Sequence, residues 1–408
     1  MKRNGIVRGA CVALLASCAA WCTAPHAAEA GEPAKDAAEK KIPILVLDET
    51  ADDWLVDRFA GNSTAGLRFF QGPAREVGGL GRPNAVTTLP DGRVYFSTDG
   101  KVFEVTPDGT LFLVIGGGGN AVEGAPDQVV GGKPVYHPRE KTLYLTGPNC
   151  LRRVAEQEDG SWKIEVVAGV PGTRGKKDGP AKEATFDSLY NVVINSRGEI
   201  HILDAAKSLR RIKDGRVTTL VPNMRGGKKD GPLAQARFAF IGLGGRICLG
   251  EDDDTLYVAD HWNFAIRKID LKTETVSTIA GKPKSGPKMN PRRYNNNSDG
   301  PALTHASANS GFNYVCWDPV HKGLYVGGPD ESRFRWYKDG WVKTVIGRKV
   351  KGSAGSDRWP ANALGVEGKI VHMTWNSVEA VDHLGRAYLV SSSHRHGIWR
   401  AYRKGVSQ

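Results

Sequence analysis

Short runs of apolar residues, separated by Gly, Asp and Asn, recur along most of the chain. One unit has apolar runs at 192–194, 200–203, 209–212 and 217–221, with polar turns between them. Runs of this length bounded by turn residues predict β-strands, because helices need longer segments with a 3.6-residue period. Each unit therefore predicts four consecutive antiparallel strands.

The unit repeats, and the repeat predicts the fold. A strand-ending segment recurs at 113–116, 166–169, 219–222, 278–281 and 344–347, at intervals of 53 to 66 residues. Four-stranded units at this spacing are typical of propeller blades. The last unit is one strand short, and 54–61 ends like the blade-final segments. We therefore predict an all-β, six-bladed β-propeller over 43–408, in which an N-terminal strand completes the last blade and removes exposed sheet edges.

Two segments carry a family resemblance. Residues 178–186, Asp-Gly-Pro-Ala-x-x-Ala-x-Phe, and 256–269, Leu-Tyr-Val-Ala-Asp-x-x-Asn-x-x-Ile-Arg-Lys-Ile, resemble the two halves of an NHL repeat. The resemblance covers nearly all of the chain after its N-terminal segment. It implies the propeller fold more than any chemistry, because function depends on the site and not on the fold.

The N-terminus has the features of an export signal. Lys2, Arg3 and Arg8 precede an apolar stretch over 9–24, and Ala-Glu-Ala at 28–30 offers a cleavage site. We predict a signal peptide over 1–30, a flexible leader over 31–42 and an extracellular or periplasmic location. The apolar run is short for a membrane span. The alternative is a lipoprotein, because the sequence before Cys18 matches a bacterial lipobox.

The charge of the chain favours anionic partners. The formal net charge is +12, and an exported basic protein favours an anionic polymer or surface, such as acidic polysaccharide, cell-wall polymer or lipid headgroups. A protein partner is the alternative, and export disfavours nucleic acid. Of six cysteines, Cys150, Cys248 and Cys316 lie outside the signal, and we expect buried free thiols. The loops that lead into three successive blades are rich in basic residues: Arg174, Lys176, Lys177, Arg225, Lys228, Lys229, Lys282, Lys284, Lys288, Arg292 and Arg293.

The repeat also predicts where a ligand would bind. Loops entering the first strand of each blade share one face with loops that follow the second strand, and six blades converge there. The predicted ligand-binding residues are Asn84, Lys133, Tyr190, Arg246, Tyr314, Asp260, His261, Glu379 and His394. Asp260 also fits a structural role, because a short carboxylate in this turn caps backbone N–H groups. No spaced histidine motif predicts a metal, so no cofactor is expected in a binding module.

Glu379 is the strongest candidate for a catalytic residue. In the repeat it aligns with apolar residues of the other blades: Val86, Val135, Val192, Cys248 and Cys316. A buried carboxylate is costly unless it is paired, ligated or functional. Arg246 or Lys133 across the channel could pair with it.

Two functional hypotheses follow. The chain has no G-x-S-x-G elbow, no phosphate-binding glycine loop and no C-x-x-C-H motif. We therefore favour a binding or scaffold module for an anionic or polar ligand over an enzyme. The alternative is a metal-assisted enzyme that uses Ca or Zn at the channel mouth, as the architectural resemblance to lactonases, strictosidine-synthase-like proteins and the peptide-amidating lyase implies. Metal content would discriminate between the two hypotheses.

Overall fold

The computed structural model describes the repeat region with several gaps. The described residues are 54–61, 71–77, 80, 81, 83–116, 118–205, 208–222, 224, 226–239, 246–281, 299–303, 311–328, 334–346, 366, 367, 376–391 and 397–406. The predicted signal peptide, the leader, Cys18 and His394 lie outside these residues.

The described elements are β-strands with two short 3₁₀ turns, at Leu233–Gln235 and His261–Asn263. The strands of the first half are β1 (Trp54–Ala60), β2 (Gln71–Pro73), β3 (Ala85–Thr88), β4 (Val94–Thr98), β5 (Lys101–Val105), β6 (Thr110–Ile115), β7 (Pro134–His137), β8 (Thr142–Thr146), β9 (Leu151–Glu156), β10 (Trp162–Ala168), β11 (Gly179–Pro180), β12 (Leu189–Ile194), β13 (Ile200–Asp204), β14 (Ser208–Lys213) and β15 (Arg216–Val221). Those of the second half are β16 (Gly231–Pro232), β17 (Ile247–Leu249), β18 (Thr255–Asp260), β19 (Ala265–Asp270), β20 (Thr275–Ala280), β21 (Gly300–Pro301), β22 (Tyr314–Asp318), β23 (Gly323–Gly327), β24 (Phe334–Lys338), β25 (Trp341–Ile346), β26 (Val366–Glu367), β27 (Asn376–Val381), β28 (Ala387–Ser391) and β29 (Ile398–Arg403).

These strands form six antiparallel sheets, which we number as blades I to VI in chain order. From the inside outwards, blade I is β3-β4-β5-β6-β2, blade II is β7-β8-β9-β10, blade III is β12-β13-β14-β15-β11, blade IV is β17-β18-β19-β20-β16, blade V is β22-β23-β24-β25-β21, and blade VI is β27-β28-β29-β1-β26. The N-terminal β1 pairs with the C-terminal β29, with Val56 opposite Ala401. The predicted six-bladed propeller, closed by an N-terminal strand, is confirmed.

Five of the blades have a short additional strand that the sequence pattern did not predict. The Gly-Pro pair of each Asp-Gly-Pro segment lies against the outermost long strand, with Pro180 opposite Arg216. Gly179 has φ +136°, in a region that disfavours residues with a Cβ. Proline lacks an N–H donor and is tolerated at a sheet edge. Asp178 accepts a hydrogen bond from the Thr219 N–H at 2.8 Å, which holds the segment in place.

The blades form a closed ring around a central channel. Each innermost strand packs against the innermost strand of the next blade, in the order β3, β7, β12, β17, β22, β27 and back to β3. Six buried apolar clusters lie between neighbouring blades, one for each interface. The apolar surface of each blade is therefore covered by its two neighbours, as in other repeat folds.

A repeated arginine explains the fixed spacing of the Phe in the motif. Arg210 lies 4.6 Å from the Phe186 ring, and Arg267 lies 4.7 Å from the Phe238 ring. Both arginine side chains are fully buried on the third strand of their blades. A guanidinium group at this distance from an aromatic face makes a favourable cation–π contact. The motif thus fixes the loop that precedes each innermost strand to the body of its blade.

Candidate functional site

A cavity of about 350 Å³ lies at the centre of the ring and is lined by the innermost strands of all six blades. Its walls are mostly apolar, with Val135, Val192 and Val378 among the lining residues. Four of the predicted site residues also line it, and we refer to them as the channel cluster: Lys133, Tyr190, Arg246 and Glu379. They come from blades II, III, IV and VI.

Glu379 reaches the cavity because of a β-bulge. Val378 pairs with Leu389 and Ala380 pairs with Tyr388, so Glu379 is an extra residue between them. The residue that corresponds to Cys248 and Cys316, which face tyrosines across their own ladders, is therefore Ala380 and not Glu379. The alignment of Glu379 with apolar residues was wrong by one position. A β-bulge adds one residue to a strand and changes the direction of the side chain at that residue, and the sequence repeat did not reveal it.

Tyr190 occupies a second bulge, in the blade opposite. The register of β12 against β13 shifts between Leu189 and Asn191, which leaves Tyr190 as the extra residue. The Lys133 ammonium group donates a hydrogen bond to the Tyr190 carbonyl at 2.9 Å and lies 4.8 Å from the centre of its ring. Burial raises the pKa of the Tyr190 hydroxyl, so it remains protonated at neutral pH.

Arg246 and Glu379 form an ion pair across the channel, from blade IV to blade VI. One Glu379 oxygen accepts the guanidinium hydrogen bond, and the other accepts one from the Ser377 hydroxyl. The Glu379 side chain is 3% exposed, whereas that of Arg246 is 25% exposed. Burial lowers the pKa of Arg246, but the charge and hydrogen bond of Glu379, together with smaller contributions from Tyr190 and Cys316, make the net shift upward. Arg246 is therefore charged, and its guanidinium group is partly open to the channel.

Lys133 has a different environment from Arg246. Its ammonium contacts the Tyr190 carbonyl and ring, and among the described residues no carboxylate forms an ion pair with it. Burial and the nearby Arg246 charge lower its pKa to about 8, and the more weakly acting Glu379 charge opposes the shift. At pH 7 most Lys133 side chains are charged, and a neutral fraction is also present.

Four other predicted residues do not line the cavity. Asp260 is fully buried within blade IV, where it accepts hydrogen bonds from the Ala239 N–H at 2.8 Å and from Arg267 at 2.9 Å. Burial raises its pKa, against the effect of these hydrogen bonds. His261 follows it in the 3₁₀ turn. Asp260 thus holds the loop at Ala239 against the blade, which is a structural role, although its side chain does not cap the 3₁₀ turn that follows it.

Asn84 and Tyr314 also lie apart from the channel cluster. The Asn84 side chain accepts a hydrogen bond from Ser97 at 2.7 Å within blade I. Tyr314 is 1% exposed and packs between blades V and VI. It pairs with Gly327, and a Cβ at that glycine would lie 2.2 Å from the Tyr314 hydroxyl oxygen. Because Gly327 has no side chain, the Tyr314 ring occupies the space next to it.

Two further polar residues lie beside the channel cluster. The repeat also places Ser377 at the channel entrance, and its hydroxyl donates a hydrogen bond to Glu379. Asn191, which lines the cavity, was not predicted; its side chain accepts the Ile247 N–H at 2.7 Å and joins the innermost strands of blades III and IV. The signal available for Asn191 was its adjacency to Tyr190. Cys248 and Cys316 line the cavity as free thiols, and burial raises the pKa of both. The expected free thiols are confirmed, and Cys150 and Cys316 are buried as expected, whereas Cys248 is only partly buried.

Within the described part of the chain, no group of three or more His, Cys, Asp or Glu side chains is placed to hold a metal ion. The same residues include no helix with the length and hydrophobicity needed to cross a membrane. The channel cluster combines two cations with one carboxylate, and that carboxylate is already hydrogen-bonded on both oxygens. This arrangement can attract a negative charge and donate hydrogen bonds to it.

The ring and the channel cluster define the protein as a six-bladed β-propeller with a charged central cavity. Its solved structural neighbours include a protein of unknown function from Bacteroides thetaiotaomicron, 15% identical, with a TM-score of 0.57 over 85% of this chain and 75% of that one. An auxiliary nutrient binding protein from the same organism is 12% identical, with a TM-score of 0.56 over 86% and 76%. A gluconolactonase from Xanthomonas campestris is 11% identical, with a TM-score of 0.42 over 80% and 88%.

At identities this low, the likeness concerns the fold alone. Comparison of the sequence with protein-family models gave no match, and neither did comparison with curated proteins.

Proposed function

We propose that the protein is an exported binding module of the NHL type, whose central cavity takes a polar ligand that carries a carboxylate. The observation that supports this proposal is the charge of the channel cluster. Lys133 and Arg246 supply two positive charges to one cavity, and Glu379 balances only one of them. A cavity with apolar walls and a few convergent polar groups is the usual form of a small-molecule site.

The size of the cavity limits the ligand. Its volume of about 350 Å³ is at the lower end of the range of roughly 300–1,000 Å³ typical of ligand pockets. A single acidic sugar residue fits such a space, and a longer acidic polysaccharide would place one residue in the mouth. An auxiliary nutrient binding protein has the same fold, so a binding role is compatible with this architecture.

Basic loops around the ring support the same ligand charge. Lys176, Lys228 and Lys229 are exposed in the described loops that lead into blades III and IV. Arg174 is 79% exposed and Lys177 is 63% exposed, although each lies 3.8 Å from a carboxylate. Such a surface steers anionic ligands towards the ring, and salt screens this attraction. The predicted export signal supports a ligand outside the cytoplasm.

Calorimetric titration with acidic and neutral sugars tests the proposal. Glucuronate is expected to bind, glucose is expected not to bind, and added salt should weaken glucuronate binding. Arg246→Met should reduce the affinity about tenfold or more, because a hydrogen bond to a charged group contributes roughly 1.5–3 kcal/mol. The control is Arg216→Met, which removes an equal charge from an exposed position on β15.

Equal affinities for glucuronate and glucose, or equal effects of the two arginine variants, would contradict the proposal. Binding that requires added calcium or zinc, and that is lost in Glu379→Gln, would support the metal-assisted enzyme instead.

A further inference from the structure

The environment of Lys133 differs from that of a lysine that only binds anions. Its amine is held in the cavity by the Tyr190 carbonyl, and the cavity carboxylate is engaged by Arg246 and Ser377. The charged and titratable groups around it are Tyr190 on β12, Arg246 before β17 and Glu379 on β27. An amine that is desolvated beside another cation is a nucleophile near neutral pH.

We propose that Lys133 forms a reversible imine with the aldehyde or ketone group of a bound ligand that also carries a carboxylate. The ligand class of the cavity is then an anionic carbonyl compound. This proposal rests on the proposed function, because Arg246 is the group that attracts the carboxylate. Such a ligand needs two groups in the cavity. Arg246 is a cation that cannot lose its proton and can hold the carboxylate, and Lys133 is an amine that can lose its proton and react with the carbonyl group.

The reaction balances without a further reactant. The neutral Lys133 amine adds to the carbonyl carbon, a C–N bond forms, and the carbonyl oxygen takes up the proton that the nitrogen loses. Loss of water from this adduct leaves the imine, and addition of water reverses the step. No oxidant or reductant is consumed.

The lowered pKa of Lys133 supports the proposal and sets how much faster this amine should react than an ordinary lysine. With a pKa of about 8 in place of 10.5, the neutral fraction of this amine at pH 7 is about 300-fold larger than that of an ordinary lysine. Its lower basicity makes it intrinsically less nucleophilic, which offsets part of this gain. We therefore expect Lys133 to react at least about tenfold faster than an exposed lysine at pH 7.

Trapping with cyanoborohydride tests the proposal, because this reagent reduces an imine to a stable secondary amine. The protein is incubated with pyruvate or with glucuronate, whose open-chain form has an aldehyde, and labelled residues are located by peptide mass spectrometry. Lys163, exposed on β10, is the internal reference. Label on Lys133 should form at least about tenfold faster than on Lys163, and its rate should level off above about pH 8.

Matched probes and a variant separate the two proposals. Lactate and methyl glucuronide keep the carboxylate but cannot form an imine, so they test binding alone by calorimetry. Lys133→Arg keeps the charge but removes the nucleophile, so it should lose the label. Label from pyruvate alone would identify a small 2-oxo acid, and label from glucuronate alone would identify the reducing end of an acidic sugar.

Equal labelling of Lys133 and Lys163 would overturn the imine proposal. If lactate and methyl glucuronide still bind in that case, the binding function stands without it. If neither of these probes binds and no selective label forms, both proposals fail.

Discussion

Two arginine–carboxylate pairs of blade IV, Arg267–Asp260 and Arg246–Glu379, differ in how completely the protein surrounds them. Arg267 and Asp260 are both fully buried, and Arg267 also donates to the carbonyls of Lys229 at 2.8 Å and of Arg237 at 3.0 Å. Arg246 donates to Glu379 across the channel, and a quarter of its side chain is exposed. The first pair has no room for a ligand, whereas the second is open on its cationic side.

This difference shows which charged pairs in a repeat protein stabilise the blade and which can bind a ligand. The Arg267 arrangement recurs in blade III, where Arg210 donates to the Thr185 carbonyl at 2.6 Å and pairs with Asp204 at 3.4 Å. Among the residues that the structure describes, the Arg246–Glu379 pair has no such equivalent, because it joins two blades through a bulge. Repetition therefore indicates a structural role, and departure from the repeat indicates the site.

The largest expected effect is that of breaking the closed pair. Arg267→Met leaves Asp260 buried without its cation, and removing one partner of a buried ion pair costs about 3–5 kcal/mol. The free energy of unfolding, measured by denaturant titration, should fall by this amount. Arg216→Met, on the exposed surface of β15, should change it by less than about 0.5 kcal/mol. A small effect of Arg267→Met would show that the pair is not structural.

The next largest expected effect is the pH dependence of stability caused by His201, a buried histidine whose ring nitrogens have no hydrogen-bond partner among the described residues. Tyr95, Tyr144, Tyr257, Tyr325 and Tyr388 occupy one position of the second strand in five blades, and blade III has His201 there. His201 is fully buried, and neither ring nitrogen has a hydrogen-bond partner among the described residues. Burial lowers its pKa from 6.5 to about 4, so the folded protein holds the neutral ring.

The sign of the resulting pH effect follows from proton binding. Between about pH 6.5 and pH 4 the unfolded chain binds a proton at His201 that the folded protein excludes, so stability falls as the pH falls. The loss should approach about 2–3 kcal/mol at pH 4. His201→Tyr, which introduces the residue of the other blades, should remove this part of the pH dependence. The unfolding free energies of both proteins are compared at pH 7 and pH 4.5. An unchanged slope would contradict the prediction.

The smallest expected effect is that of opening the channel pair. The double variant Arg246→Met with Glu379→Gln removes both charges, so that no buried carboxylate is left unpaired. It should lower the unfolding free energy by only about 1 kcal/mol, because the cation of the pair is partly exposed. The same denaturant titration measures it beside Arg267→Met. A loss as large as that of Arg267→Met would mean that the channel pair is structural, and it would remove the contrast on which the proposed site depends.

The candidate site could be predicted from the repeat only in part. Lys133 and Arg246 were found because they directly precede innermost strands and stay in register with the repeat. Tyr314 was placed wrongly in the channel, because its orientation depends on the absent side chain of Gly327 on the neighbouring strand. The sequence left Asp260 with both a structural and a ligand-binding role, since its contacts with Ala239 and Arg267 form only when the loop folds over the blade.

The sequence by itself determined the blade, because strand length, turn residues and the Asp-Gly-Pro and Arg motifs act over short distances and recur in each unit. It also determined closure, since the last blade lacks a strand that 54–61 provides. The tertiary structure decided which side chains meet in the channel. Bulges at Tyr190 and Glu379 shift the pairing register by one residue and so change which side chains face the channel. Such shifts depend on packing between strands that are distant in the chain, which no local pattern encodes.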